Sequence, residues 1–86
     1  MAIELTANWV PLESRLTPDL CSEFMWMFRE GGIEHYKHIV TRKYLLLDEV
    51  GRCLVRTAEG LANVPFDQEW RRVTARARGI ENGTSH

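Results

Sequence analysis

Two adjacent glycines, Gly31 and Gly32, set the tightest limit on how this chain can fold. They stand between an unbroken apolar run, Phe24 to Phe28, and a stretch of strand composition, Glu34 to Val40. By period alone, an apolar run of this length suits a buried strand and a buried helix equally well. A two-residue hairpin turn needs positive φ at both central positions, which glycine adopts without steric cost. Glu30, Gly31, Gly32 and Ile33 therefore predict a hairpin in which the apolar run is a strand, rather than a helix ending at Gly31.

The flanking segments extend that sheet. Tyr44 to Asp48 has strand composition, and Asp48, Glu49, Val50, Gly51 and Arg52 read as a turn into Cys53, Leu54, Val55 and Arg56. Ala58 to Pro65 is expected to cross the sheet. Phe66 to Arg78 then reads as an amphipathic helix: Phe66, Trp70, Val73 and Ala77 keep helical spacing, with Asp67 and Glu69 near its start and Arg76 and Arg78 near its end, as the helix dipole prefers. Before the hairpin, Pro11 and Pro18 each suit the first turn of a short helix, and Thr17 stands in N-cap position ahead of Pro18. Leu12, Leu16 and Leu20 recur every four residues and give both pieces one apolar face, with Trp9 and Val10 beside it. The expected fold is α+β: two short N-terminal helices, a four-stranded antiparallel meander and a C-terminal amphipathic helix. Residues 1–78 form one domain in this reading, and 79–86, without periodicity, a loose tail.

A chain of 86 residues has room for one core. Its 44% hydrophobic and 27% charged residues are ordinary globular usage, which argues against a disordered or fibrous class. No apolar stretch approaches the roughly 20 residues of a membrane-spanning helix, and Met1 to Leu5 has no basic segment leading into an apolar one. A cytoplasmic location is the expectation. Cys21 and Cys53 are too few for a disulfide scaffold and read as small core residues. Asn82, Gly83 and Thr84 match a glycosylation acceptor, which has meaning only in a secreted protein.

Alternation along the first hairpin strand would send Phe24, Trp26 and Phe28 to one face of the sheet and Met25 and Met27 to the other. Both faces are then apolar, and three helices can cover only one of them. The uncovered face is expected to meet a second copy of the chain or a protein partner, with Phe24, Met25, Trp26, Met27 and Phe28 as core plus interface.

Net charge is −1, but residues 1–34 carry −4 and residues 35–86 carry +3. The basic half concentrates Tyr36, Lys37, His38, Arg42, Lys43 and Tyr44, followed by Arg71 and Arg72 on the last helix. Cations neutralise phosphates and tyrosines stack on unpaired bases, so these residues are the candidates for an anion or nucleic-acid surface, the alternative to a protein interface. Alternation divides them, with Tyr36 and His38 on one face and His35 and Lys37 on the other. The same geometry spoils His35 and His38 as a metal pair, since that spacing converges on a helix and diverges on a strand. No metal motif, glycine-rich phosphate loop or recognisable carboxylate pair is present, so no cofactor and no metal are expected. His38 with its basic neighbours is the nearest approach to acid–base chemistry.

Overall fold

The glycine pair does form the hairpin turn. The structure, a computed structural model, describes residues 3–82, with side chains from residue 5 to residue 75. Gly31 and Gly32 have φ of 62° and 77°, both in the left-handed region. They join β2 (Phe24–Glu30) to β3 (Ile33–His38), with Glu30 directly opposite Ile33. Before this hairpin lie β1 (Ile3–Glu4), α1 (Val10–Glu13) and α2 (Pro18–Cys21); after it come β4 (Tyr44–Asp48), β5 (Cys53–Thr57), β6 (Gly60–Val64) and α3 (Phe66–Asn82).

Each strand pairs antiparallel with its sequence neighbours, giving a six-stranded sheet in the order β1-β2-β3-β4-β5-β6. Five strands have five to seven residues, and β1 is a two-residue edge against β2. The sheet thus exceeds the four strands expected. The segment anticipated as a crossover is the return strand of a second tight hairpin: Gly60, at φ 120°, lets the chain reverse after Thr57, and Gly60 to Val64 pairs back along β5. The turn after β4 is built as its composition suggests. The Asp48 carboxylate accepts hydrogen bonds from the backbone N–H of Val50 (3.1 Å) and Arg52 (2.8 Å), and from Arg52 Nε (2.7 Å). Burial opposes its charge, but those donors outweigh burial and leave the carboxyl below its ordinary pKa.

The short helices also follow their sequence signals. Pro11 and Pro18 occupy first turns, and the Thr17 hydroxyl accepts from the Leu20 N–H. Leu12 of α1, Cys21 of α2 and Val73 of α3 join Phe24, Tyr36, Leu45, Leu47 and Cys53 in one core, against which Trp9, Leu16, Phe66 and Trp70 pack. All three helices therefore cover the same face of the sheet. The tail expected at 79–86 overlaps the last residues of α3, and its final four residues lie outside those described.

One departure changes the sheet's chemistry. Trp26 pairs with Tyr36 but Phe28 pairs with His35, so Met27 is an extra residue, a β-bulge. Strict alternation would keep Phe28 beside Phe24 and Trp26. The bulge instead turns Phe28 to the opposite face, where it stacks on the His35 ring at 4.1 Å, and returns Arg29 to the helix-covered face opposite Glu34.

Glu34, 1% exposed, is the main polar group of that covered face. Its Oε1 accepts from Trp26 Nε1 (2.7 Å), and its Oε2 from Arg29 Nε (2.7 Å) and Asn8 Nδ2 (3.2 Å). Arg29 reaches on to the Thr6 carbonyl, and the buried Tyr36 hydroxyl donates to the Asn8 carbonyl (2.7 Å). These bonds tie the segment before α1 to the middle of the sheet.

Replacing Glu34 by alanine removes the buried carboxylate that Arg29 Nε, the Trp26 ring N–H and Asn8 donate to, and should remove about 3–5 kcal/mol of stability. Gly32→Ala, which meets no neighbour but forces a side chain into positive φ, should cost about 1–2 kcal/mol. Urea unfolding of the two variants beside the parent protein checks both magnitudes and their order.

Candidate functional site

The face without helices holds the residues that chemistry can reach. Cross-strand registers His35↔Leu46↔Leu54 and Lys37↔Tyr44, together with alternation, place Met25, Phe28, Ile33, His35, Lys37, Tyr44, Leu46, Leu54, Arg56 and Leu61 on it. It is concave rather than flat. His35 is only 3% exposed and Leu46 only 8%, although no helix lies over either, because the neighbouring side chains rise around them.

β4 and β5 pair at Leu46↔Leu54 and Leu47↔Cys53, whereas β5 and β6 pair at five positions. Beyond Leu46 the two strands part, and α3 closes the gap from behind. Arg72 Nη2 donates to the Tyr44 carbonyl (3.1 Å), while its Nε and Nη2 hold the buried Glu69 carboxylate at 2.8 and 2.7 Å. The opening is a cleft of about 720 Å³ lined by Phe28, His35, Lys43, Tyr44, Leu46, Leu54, Val55, Arg56, Glu69 and Arg72.

At its floor His35 is held in one protonation state. Nδ1 lies 3.0 Å from the Ile33 carbonyl and must donate, and Nε2 lies 3.0 Å from Arg56 Nη2 and must accept. Both partners are satisfied only by the neutral Nδ1–H tautomer. Burial is the main cause of a lowered imidazole pKa, and the Arg56 charge acts in the same direction.

The structure sorts the sequence candidates into two groups. Lys43, Tyr44 and Arg72 meet at the cleft, and the Lys37 ammonium lies 5.8 Å from the centre of the Tyr44 ring. Tyr36 and His38 do not belong to this surface: they are 0% and 1% exposed, beneath the helices. Burial and the nearby Glu34 charge push the Tyr36 phenol far above its ordinary pKa. His38 is a structural group. Its Nδ1 accepts the backbone N–H of Val40 and Thr41, and its Nε2 donates to Glu23, which shapes the β3–β4 loop and leaves no nitrogen for a substrate. Arg42 sits in that loop at φ 67°, and Arg71 is exposed on α3.

The proposed interface run divides in the same way. Phe24 is core at 3% exposure, and the half-buried Trp26 gives its ring N–H to Glu34, both on the helix-covered side; Met25 and Phe28 face the uncovered side. With Tyr36 buried, Tyr44 is the tyrosine left on the uncovered face among the described residues, beside the stacked Phe28 and His35 rings. Burial raises both thiols, Cys53 to about 11, so neither is primed as a nucleophile. No group of three metal-ligating side chains occurs among the described residues, and no helix there is long and apolar enough to cross a membrane.

The pairing of His35 with Arg56 was absent from the sequence candidates. Alternation past the turn at Gly51 puts Leu54 and Arg56 on one face, which was the available signal, but the register of β5 against β4 was needed to bring them to His35. Compared with family models, curated proteins and solved structures, the chain matches none.

Because the folded His35 pKa lies below its unfolded value near 6.5, the folded state binds fewer protons than the unfolded state between those two values. This contribution to stability is complete above about pH 6.5 and is lost as pH falls through the window beneath it. His35→Phe, which cannot titrate, should therefore show a shallower loss of urea midpoint than the parent protein between about pH 7.5 and about pH 5.5.

Proposed function

We propose that the protein is a small, non-catalytic interaction module that works through the uncovered face of its sheet, with a second copy of itself as the simplest partner. The observation that carries this reading is the apolar row of Ile33, Leu54 and Leu61 on a face that no helix covers, with Leu61 44% exposed. Apolar side chains left uncovered on one face of a sheet supply the surface that such a contact would bury. The catalytic alternative has lost its histidine to the β3–β4 loop. The nucleic-acid alternative keeps Lys43, Tyr44 and Arg72 at the cleft but loses Tyr36 and His38 to the covered face.

The charges restrict how two copies can meet. Lys43, Arg56 and Arg72 gather at the cleft, so a twofold axis through it would oppose like charges. Contact through the Ile33–Leu61 end of the face keeps Lys43 and Arg72 away from the axis and places Arg56, the cross-strand partner of Leu61, at its margin. Two free, buried thiols suit a reducing compartment, the cytosol in this reading.

Sedimentation over a wide concentration range should show a monomer–dimer equilibrium, and Leu61→Glu should shift it to monomer without changing the circular dichroism spectrum. A parent protein that stays monomeric at high concentration removes the self-association reading.

A further inference from the structure

The geometry points to a small-ligand site where β4 and β5 part, a cleft that takes a carboxylate carried on an apolar body. Its volume, about 720 Å³, lies in the range of small-molecule pockets, which combine apolar walls with a few placed polar groups. Phe28, Leu46 and Leu54 supply the apolar surface, and Leu46 is buried there without any covering element.

The polar group that selects the ligand is Arg56. One of its N–H groups is spent on His35 Nε2, and no carboxylate lies within ion-pairing distance of it among the described residues. Its partner is a neutral imidazole whose far nitrogen is bound to a backbone carbonyl, so the pairing orients the guanidinium without forming an ion pair, and Glu30, which lines the adjoining groove with Arg56, makes no ion pair with it either. Arg72 differs, since Glu69 already neutralises it. Lys43 adds an ammonium to the same rim, its Nζ 3.4 Å from the Arg72 carbonyl. The cleft thus sets three cations against one carboxylate, in walls that are otherwise largely apolar.

Positive charge beside low-dielectric walls attracts an anion more strongly than the same charge in open water. A guanidinium fork fits a carboxylate through two parallel hydrogen bonds. A free polar anion would leave the floor of Leu46 and Phe28 unused, and an uncharged apolar molecule would leave Arg56 without a counter-charge. A single anionic head on an apolar tail satisfies both.

Titration calorimetry with octanoate, octanol, octylammonium and inorganic phosphate separates these contributions. Octanoate should bind with one-site saturation, octanol and phosphate at least tenfold more weakly, and octylammonium not at all. Arg56→Gln, a change at an exposed position, should weaken octanoate about tenfold, or about 1.4 kcal/mol, with the circular dichroism spectrum of the folded protein retained. Leu54→Trp, which fills the cleft from its other wall, should also abolish binding. Equal affinity for octanol and octanoate, or unchanged octanoate affinity in Arg56→Gln, overturns the inference. Octanoate binding by a strictly monomeric protein would leave the site standing while removing self-association.

Discussion

The buried Glu34 carboxylate is the interaction on which the rest of the structure depends. A carboxylate with almost no solvent exposure is costly unless its oxygens are filled, and here three donors from three places in the chain fill them: Asn8 before α1, Trp26 ahead of the bulge and Arg29 beyond it. Satisfying all three constrains the register of β2 against β3 and the path of the chain into α1. Trp26 and Arg29 lie three residues apart, which strict alternation would send to opposite faces, and both reach Glu34 because Met27 bulges between them.

That single extra residue decides how the two faces differ. With it, Phe28 leaves the helix-covered side and becomes the ring on which His35 lies. The covered face becomes a conventional core around Leu45, Leu47 and Val73, while the other acquires an aromatic pair, an oriented guanidinium and a row of leucines. The parting of β4 and β5 adds depth to that second face. Arg72 takes the carbonyl of Tyr44 that a continued ladder would have used, so the sheet opens without leaving that acceptor unmet.

Local chemistry was readable in advance, and long-range register was not. Gly31 and Gly32, Pro11 and Pro18, Thr17, the Asp48 turn and the spacing of Phe66, Trp70 and Val73 each act within a few residues, and each produces the element its chemistry implies. The bulge at Met27 has no such local mark: Met25 and Met27 look alike in sequence, and only the pairing of Arg29 with Glu34 across the strand separates them. Likewise the burial of Tyr36 and His38 depends on which face the helices choose, a choice that alternation presents but does not make. The cleft was the least legible feature, because it arises where pairing between two strands stops.

The strand order carries a kinetic consequence. From β2 to β6 every strand is hydrogen-bonded to the next in sequence, so each of these ladders closes a short loop and little chain entropy is lost at each step. The sheet can assemble hairpin by hairpin, from nuclei at the three turns that carry positive-φ glycines. The contacts that fix the N-terminal segment and the last helix, Asn8 to Glu34, Arg15 to Gly51 and Arg72 to Tyr44, join segments far apart in sequence and have wider loops to close. Such a chain gains its sheet early and its cover late, so the core side of the strands meets water for a time before the N-terminal segment and the final helix dock onto it.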